Sequence, residues 1–423
     1  MKNVIHPVKG TREFYPPEMA LRNWLYHHIR YVSESFGYCE YDGPFLEPID
    51  LYAAKSGEEL VKEQSFTFPD RGGNLITLRP ELTPSLARMV AQKQHQLHYP
   101  LRWWSFGPFW RYEKPQKGRT REFFQWNIDM VGAKSPQADA ELIAVCAMFF
   151  NRIGLRSDQV KILINDRELM DRKLSHAGIN DELKKVTLNV IDRQDKMDTA
   201  SWKAYALDSG LTEAQFDGLN HLLVDEDLIK ESDSLLQVFS SLDAMGLRDY
   251  IKFDAKIVRG LDYYTGTVFE ARDVGKSMRA ILGGGRYDNL VNDVGGDPLS
   301  GVGFAMGDVV LPLILEDYQL LPELQIDPTQ ILVTVFDETL INASIKAASA
   351  LRENGFRVQT YPEAEKLGKQ FKVAAKMGIR YAIVIGPEEA EAGIVQVKNM
   401  ETREQASVNQ ENLAQYFSDL LDD

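Results

Sequence analysis

The sequence has almost no cysteine and no long apolar run, and both shortages exclude whole classes of protein. Cys39 and Cys146 are the only cysteines in 423 residues, too few for a disulfide framework or a zinc ribbon. The most apolar helical stretch, around residues 141–150, is far too short to cross a bilayer. The N-terminal MKNVIHPVKGTREF contains no apolar signal-peptide segment. We therefore expect a soluble protein of the reducing cytoplasm, with no membrane partner.

Length and composition indicate ordinary globular domains. At 423 residues the chain is long enough for two or three domains, and it carries no fixed-period repeat or low-complexity tract. Its 44% hydrophobic and 26% charged residues suffice for a large core beneath a charged surface. The net charge of −14 argues against a general polyanion-binding surface, although a local basic site stays open.

The pattern of apolar residues changes along the chain and predicts two regions. Up to about residue 325, helices alternate irregularly with paired strands, and residues 170–245 are charged and helical with few strand signals. We expect this stretch to be an all-helical insertion. From Ile331 onward strands alternate regularly with helices, which is typical of a small α/β domain. The predicted domains are therefore residues 1–325 and 326–423.

A strand with one polar face is predicted at FFQWNIDMV, residues 123–131. Side chains alternate between the two faces of a strand, so Phe124 and its even-numbered neighbours share an apolar face. Gln125, Asn127 and Asp129 share the opposite face. Such a polar face either contacts water, as in many one-sided sheets, or forms the floor of a site. The strand by itself leaves both interpretations open.

A basic loop precedes this strand, within FGPFWRYEKPQKGRTREFFQ at residues 106–125. Four cations crowd the loop: Lys114, Lys117, Arg119 and Arg121. It is either a solvated turn or a loop that folds over a polyphosphate, with Arg111 at the strand edge as a further cation. In the second case an aromatic residue such as Phe123 could stack on a base.

Four further segments carry ambiguous signals. LRPELT, residues 78–83, sets a carboxylate and a hydroxyl before a helix, as a helix cap or a binding site would. GGGRYDNL (283–290) and SGVGFAMGD (300–308) contain glycines that either pack elements closely or let the backbone approach a ligand. GGGRYDNL is not a Walker A loop, because no Lys-Ser/Thr follows its glycines. RGLDYYTGTVFE (259–270) combines a cation with two adjacent phenols, which neither a core strand nor a surface loop requires.

The order of these segments resembles that of the histidyl-tRNA synthetases, which are class II aminoacyl-tRNA synthetases. The resemblance extends over essentially the whole chain. KGTREFYPPE (9–18) resembles the N-terminal signature of the family, and the helix and extended segment through Pro48 resemble motif 1, the dimer-forming element. Residues 106–132 resemble motif 2 and residues 301–315 resemble motif 3. RGLDYYTG and GGGRYD resemble the two blocks that mark the histidine-specific enzymes.

This resemblance implies a fold, a reaction and a set of partners. The fold would be α+β: an antiparallel sheet flanked by helices, with a helical insertion and a C-terminal α/β anticodon-binding domain. The reaction would join histidine to ATP as histidyl-adenylate, release pyrophosphate, and then transfer histidine to the 3′ end of tRNA(His). The implied partners are L-histidine, ATP with Mg²⁺, tRNA(His) and a second copy of the chain in a homodimer.

The resemblance also assigns roles to single residues. Arg111 and Arg259 would be catalytic, because both would hold the α-phosphate where charge accumulates, and Arg259 would also contact the substrate carboxylate. The ATP-binding residues would be Arg111, Glu113, Arg119 and Phe123. The histidine-binding residues would be Glu81, Thr83, Gln125, Asp129, Arg259, Tyr263, Tyr264 and Tyr287. No metal-ligating side chain is among them.

For tRNA, the sequence offers a row of cations on or beside one helix of the last domain: Lys366, Lys369, Lys372, Lys376 and Arg380. Cations of this kind contact phosphates and make binding salt-dependent. A solvated helix face would have the same composition, so both interpretations stay open.

One departure from the family pattern affects the outer phosphates. Motif 3 of class II enzymes usually ends in an arginine for the γ-phosphate, often after a glutamate, but Val309 and Val310 stand at these positions. Either Arg119 or another arginine such as Arg121 would then have to supply the missing charge, or binding of the outer phosphates would be weaker. Two non-catalytic alternatives stay open: a paralogue such as the regulatory subunit of ATP phosphoribosyltransferase, and a module that senses uncharged tRNA. The intact RGLDYYTG segment and residues 331–423 favour the enzyme over the paralogue.

Overall fold

The computed structural model describes residues 4–53, 64–258, 263–275 and 280–421. The chain divides into two compact units. The first holds the residues through Phe14 together with Leu21–Pro322, and the second holds Tyr15–Ala20 and the residues from Glu323 onward. Within the described ranges, no helix combines the length and the apolar character that crossing a membrane requires.

The chain up to residue 322 combines a large sheet with a helix-rich central segment. Its described α-helices are α1 (Pro16–Ser35), α2 (Asp50–Ala53), α3 (Thr83–Lys93), α4 (Pro136–Arg152), α5 (Arg167–His176), α6 (Asp181–Asp192), α7 (Thr199–Asp208), α8 (Glu213–Val224), α9 (Asp233–Ala244), α10 (Leu290–Asp293) and α11 (Val310–Asp317). Its described strands are β1 (Cys39–Glu40), β2 (Leu46–Pro48), β3 (Phe66–Pro69), β4 (Leu75–Leu78), β5 (Leu101–Trp110), β6 (Glu122–Val131), β7 (Val160–Asp166), β8 (Ile251–Phe253), β9 (Thr267–Asp273), β10 (Ala280–Tyr287) and β11 (Gly301–Gly307).

Eight of these strands form one sheet in the order β1-β5-β6-β11-β10-β9-β7-β8. All neighbours from β5 to β7 are antiparallel, whereas β1 runs parallel to β5 and β8 runs parallel to β7. A parallel pair needs a crossover connection instead of a hairpin, and helices α5 to α9 form the crossover between β7 and β8. The expected antiparallel sheet flanked by helices is confirmed, with one parallel pair at each edge.

The two faces of this sheet carry side chains of very different size. Along β11, Val302, Phe304 and Met306 point into the main core, where Phe304 meets Trp126 of β6 at a ring-centroid distance of 4.8 Å. Among the alternate positions of β11 and β10, which face the other way, six have no side chain larger than a methyl group: Gly301, Gly303, Ala305 and Gly307 with Gly283 and Gly285. In the register of the sheet, Gly303 lies opposite Gly285 and Ala305 lies opposite Gly283. We call these six positions the bare face.

An ion pair on the core side fixes β10 to helix α4. Arg286 donates to Asp139 at 2.5 Å and to the carbonyl oxygen of Ala133 at 2.8 Å. Thr267 of β9 donates to the same carboxylate at 2.7 Å. Both charges are buried, and buried charges are tolerated when they are paired and hydrogen-bonded in this way. Arg286 therefore has a structural role, and its neighbour Tyr287 points to the opposite side of the strand.

A second, three-stranded sheet has the order β2-β4-β3. One side packs on α3, where the buried Glu47 accepts hydrogen bonds from Ser85 at 2.8 Å and Arg88 at 2.6 Å. The register places six apolar residues on the other side: Leu46, Pro48, Phe66, Phe68, Ile76 and Leu78. Leu46 and Phe68 remain 48% and 41% exposed. This side, the outer apolar face, has the character of an interaction surface.

The second unit has its own core and a smaller sheet. Its strands are β12 (Ile331–Val333), β13 (Val358–Thr360), β14 (Tyr381–Val384), β15 (Ile394–Asn399) and β16 (Gln405–Asn409), and its helices are α12 (Ile341–Glu353), α13 (Leu367–Lys376), α14 (Pro387–Ala392) and α15 (Leu413–Leu421). The strand order is β13-β12-β14-β15-β16, parallel for the first three strands and antiparallel for the rest. The core gathers Val333, Leu351, Ile383 and Phe417. The α/β character expected from Ile331 onward is confirmed.

Candidate active site

A cavity of about 270 Å³ lies over Gly283, Gly303 and Ala305 of the bare face. We call it the main pocket. Seven residues assigned to histidine binding on the basis of the sequence line it together: Glu81, Thr83, Gln125, Asp129, Tyr263, Tyr264 and Tyr287. They come from the turn before α3 and the first residue of that helix, from β6, from the segment before β9 and from β10. Arg259, the eighth, lies outside the described residues.

Asp129 is the buried acid of the main pocket. Its side chain is 3% exposed, and it crosses the sheet towards β11, where a Cβ on Gly303 would stand 2.1 Å from the Asp129 Oδ1. Only glycine at position 303 leaves room for this carboxylate. The Tyr287 hydroxyl donates to Oδ1 at 2.9 Å. Burial raises the pKa of Asp129 to about 7, and the hydrogen bond from Tyr287 opposes that increase.

Three tyrosines surround the space beside Asp129. The Tyr263 ring lies 5.1 Å from Tyr264 and 6.0 Å from Tyr287 between centroids, edge to face in both cases. Tyr263 also donates to Glu81 at 3.3 Å. Burial raises the pKa of all three phenols, and nearby carboxylates raise it further. The hydroxyls therefore stay protonated and act as hydrogen-bond donors in an otherwise acidic pocket.

The turn that carries Glu81 is held by Arg79, which sequence reasoning did not single out. Arg79 is fully buried. Its guanidinium donates to the carbonyl oxygen of Pro108 at 3.0 Å and to Asp42 at 2.5 Å, and it lies 4.5 Å from the ring centroids of Phe45 and Phe109. Arginine suits such a place because its planar group stacks and donates in fixed directions. The signal in the sequence was the RP pair in LRPELT.

A second cavity of about 200 Å³, the side pocket, is lined by Arg111, Glu113, Arg119, Phe123 and Gln125, and on its other side by Ile281, Val309 and Val310. Arg111 and Gln125 line both cavities, so the two pockets adjoin. The four residues assigned to ATP from the sequence therefore lie together beside the main pocket. Within the described ranges, Arg111 and Arg119 are the cations that line the side pocket.

Each cation of the side pocket has a defined neighbour. Arg111 donates from Nε to the carbonyl oxygen of Pro80 at 3.0 Å, and its guanidinium lies 5.4 Å from the Phe123 ring centroid. Arg119 pairs with Glu113 at 3.1 Å but is 63% exposed, so its side chain can move towards a ligand at little energetic cost. Phe123 stacks on Phe109 at 6.0 Å with an interplanar angle of 28°.

The basic loop does not turn all its cations towards the pocket. Arg121 donates from Nε to the carbonyl oxygen of Glu113 at 3.1 Å and lies 4.1 Å from the ring centroid of Tyr112. It is not part of the pocket lining. Its possible role in replacing a motif 3 arginine is therefore not supported by this arrangement. Arg119 is the better placed of the two residues.

Two further polar residues line the main pocket and were not assigned roles from the sequence. Asn127 lies between Gln125 and Asp129 on the same face of β6, and Glu270 faces the pocket from β9. The two-residue spacing of FFQWNIDMV was a signal for Asn127. For the glycines of β11, the signal was the alternation of small and large residues in GVGFAMG. Close packing of a strand and a helix does not by itself require such a regular alternation.

Removing the Tyr287 hydroxyl should raise the pKa of Asp129 further above about 7. The hydrogen bond favours the ionised carboxylate, and Tyr287→Phe abolishes it. The measurement is a ¹³C-carboxyl NMR titration of aspartate-labelled protein, with Asp129 assigned by its absence from Asp129→Asn. Tyr250→Phe is the control, because the Tyr250 hydroxyl donates to Leu155, outside the main pocket. An unchanged titration in Tyr287→Phe would contradict the proposed electrostatics.

Comparisons with known proteins show the family of the chain. The family model described as histidyl-tRNA synthetase matches residues 10–308, and the model described as an anticodon binding domain matches residues 330–420. The chain is 39% identical to the chloroplastic/mitochondrial histidine--tRNA ligase of Arabidopsis thaliana, over 97% of this chain and 86% of that protein. It is 37% identical to the histidine--tRNA ligase of Opitutus terrae, over 97% and 98%.

A solved structure extends the likeness to the fold. The histidyl-tRNA synthetase from Nostoc sp. PCC 7120 superposes with a TM-score of 0.81 at 26% sequence identity, covering 99% of both chains. Sequence and fold thus match over nearly the full length. On this basis, the chain belongs to the histidyl-tRNA synthetase family.

Proposed function

We propose that this chain activates L-histidine with ATP and transfers the histidyl group to the 3′ end of tRNA(His). The observation that carries the proposal is the pair of adjoining pockets. One is acidic and lined with phenols, the other is lined with two arginines and an aromatic ring, and Arg111 and Gln125 belong to both. An amino acid in the main pocket and a nucleotide in the side pocket would meet at these two residues.

The main pocket suits the side chain and the ammonium group of histidine. Asp129 would accept a hydrogen bond from one ring nitrogen, and the Tyr264 hydroxyl would engage the other. The Tyr263 and Tyr287 rings would enclose the imidazole. The α-ammonium group would lie near three oxygen-bearing side chains: Glu81, Thr83 and Gln125. A site that pairs both ring nitrogens rejects analogues that lack them, because its own buried groups are then left without partners.

The side pocket suits the nucleotide. Phe123 would stack on the adenine, and Glu113 would accept from its amino group. Arg111 would hold the α-phosphate, with Arg259 beside it, and Arg119 would reach the outer phosphates. Attack of a carboxylate on phosphorus brings two anions together, so positioned cations lower the barrier. Since Val309 and Val310 contribute no charge, Arg119 would carry a larger share of the outer-phosphate contacts than its counterpart does in enzymes with a motif 3 arginine.

Mg²⁺ belongs to the proposal as the companion of ATP. Among the described residues, no group of three or more His, Cys, Asp or Glu side chains could hold a metal ion. Protein-bound Mg²⁺ commonly keeps several waters and binds through one or two carboxylates plus substrate phosphates, and Glu270 is a carboxylate of the main pocket. The residues fit an ion that enters with the nucleotide. When bound, Mg²⁺ would neutralise charge on the outer phosphates, and pyrophosphate exchange should require it.

Histidine-dependent ATP–pyrophosphate exchange is the test of the activity. We expect exchange with histidine and none with the other nineteen amino acids, with discrimination of up to about 10⁴–10⁵ where the analogue cannot pair with Asp129. Exchange should also show that the activity does not require an arginine at the motif 3 position that Val310 occupies. Folded protein that catalyses no exchange would contradict the proposal and favour the non-catalytic alternatives.

Two variants show whether the exchange uses the proposed residues. Asp129→Ala should weaken histidine binding strongly, and Arg259→His should reduce adenylation while leaving the fold intact. Arg156→Ala is the matched control for loss of an arginine, because Arg156 pairs with Asp158 on the surface and both side chains are about two-thirds exposed. Normal histidine affinity in Asp129→Ala, or normal exchange in Arg259→His, would refute the corresponding role.

For tRNA, the candidate surface is the row of cations on or beside α13 in the second unit. Lys366, Lys372 and Lys376 are exposed on or beside α13, while Lys369 pairs with Glu365 and Arg380 lies 3.9 Å from Glu401. We propose that this row contacts tRNA phosphates. Affinity for tRNA(His) should then fall steeply with salt, and Lys372→Ala with Lys376→Ala should reduce the slope by about one phosphate contact each. Lys346→Ala on α12 is the control. A salt-independent affinity would argue against the proposal.

The outer apolar face supports the proposed homodimer. It carries six apolar residues on one side of a three-stranded sheet, of which Leu46, Pro48 and Phe68 are exposed, and solitary soluble chains rarely present such a face. We expect sedimentation equilibrium to give a dimer, and Phe68→Lys to weaken it, because a charge placed at an apolar contact must lose its hydration. Glu388→Lys on α14, another surface position made basic, should leave the dimer intact. A wild-type monomer at micromolar concentration would contradict the proposal.

A further inference from the structure

Asn127 is a buried amide of the main pocket whose donor is not used within the protein. Its side chain is 2% exposed and lines the main pocket between Gln125 and Asp129. Its Nδ2 is buried and finds no acceptor among the described residues. Buried polar groups without partners are rare in folded proteins. A donor left in this condition on the floor of a pocket indicates that a ligand supplies the acceptor.

We propose that Asn127 is a further histidine-binding residue, which donates a hydrogen bond from Nδ2 to the carboxylate of the bound amino acid and then to the carbonyl oxygen of the adenylate. The proposal rests on the proposed function and adds a contact to it.

The substrate has few acceptors to offer this amide. Histidine carries acceptors on its ring nitrogens and on its carboxylate. Asp129 and the Tyr264 hydroxyl are already matched to the two ring nitrogens, and the ammonium group is a donor only. The carboxylate oxygens are therefore the acceptors that remain for Asn127.

The position of Asn127 along β6 agrees with that choice. Same-face neighbours on a strand are about 7 Å apart, so Asn127 lies between the ring end of the substrate at Asp129 and the nucleotide end at Gln125. The carboxylate must point to the nucleotide end, where Arg111 and Gln125 join the two pockets. Across the sheet Asn127 lies opposite Ala305, and Ala305 lies opposite Gly283. No side chain larger than a methyl group therefore separates the amide from the pocket in this row.

Electrostatics also favour a neutral donor at this place. The main pocket already holds the carboxyl groups of Glu81, Asp129 and Glu270, of which Glu270 pairs with Arg272. In their ionised form these groups would repel the carboxylate of an entering amino acid. A hydrogen bond donated by an amide offsets part of this repulsion without adding a positive charge to the pocket. A lysine or arginine here would pair with Asp129 and compete with the imidazole ring for it.

The test compares two ligands that differ in the carboxylate alone. L-histidine has it, and histamine, the decarboxylated analogue, does not. Asn127→Ala should weaken histidine binding by about 10- to 100-fold, the usual effect of losing a hydrogen bond to a charged group, and should leave the affinity for histamine unchanged. Dissociation constants by isothermal titration calorimetry report both values. Ser105→Ala is the matched control, because Ser105 lies opposite Asn127 on β5, is buried and does not line the pocket.

Asn127→Leu keeps the branched shape of the side chain while removing both polar atoms. It replaces Asn127→Ala in the experiment if that variant does not fold. The same selective loss is expected. Equal losses for histidine and histamine would overturn the carboxylate contact and place the amide on the ring or the ammonium group. Unchanged binding of both ligands would overturn any contact. Wild-type protein that binds no histidine would instead refute the proposed function itself.

Discussion

The site depends on the close approach of the Asp129 carboxylate to the backbone of β11 at Gly303. A Cβ at position 303 would stand 2.1 Å from the Asp129 Oδ1. The carboxylate can therefore be buried here only because residue 303 is a glycine. Burial in turn raises the pKa of Asp129 to about 7 and makes the Tyr287 donor necessary. At Gly283 and Gly307 a Cβ would meet nothing within 4 Å, so these two positions leave open backbone on which a ligand can rest. At Gly285 and Gly301 the missing side chains instead make room for the rings of Tyr264 and Tyr287.

The two pockets are joined by structure as well as by shared residues. Arg111 lines both, and its Nε is held by the carbonyl oxygen of Pro80 in the turn that also carries Glu81. The neighbouring Arg79 holds that turn in place by donating hydrogen bonds to Asp42 and to the carbonyl oxygen of Pro108. An acid for the amino acid and a cation for the nucleotide are thus oriented by one short segment. Rigid support of this kind sets reacting groups at fixed distances before the substrates arrive.

Much of this arrangement could be predicted from the sequence, because short-range alternation decides which side chains share a face. The polar face of FFQWNIDMV was identified correctly, but whether it contacts water or a ligand depends on β10 and β11, which are about 150 residues or more away in the sequence and extend the same sheet beside β6. The glycines of β11 were ambiguous for the same reason. The assignment of single residues to ATP and histidine came from the family resemblance and stays a proposal.

Other features escaped prediction for local reasons. Strand β3 ends in a proline and β7 is a run of mixed apolar and polar residues beside a helical region, so neither gives a clear period. Strand β16, QASVN, has little apolar character. The orientation of Arg121 towards Tyr112 and Glu113 is a tertiary outcome that no spacing rule contains.

The crossover of helices α5 to α9 leaves and re-enters the sheet through β7 and β8, at the edge farthest from β1. Strands β9, β10 and β11 separate β7 from β6, which at the usual strand spacing is about 19 Å between β7 and β6. The helices contribute no residue to the lining of either pocket. Changes in the helical segment therefore leave the pocket lining itself intact, except at Asp195 between α6 and α7, which pairs with Arg272 and, through that arginine, is connected to Glu270 of the main pocket.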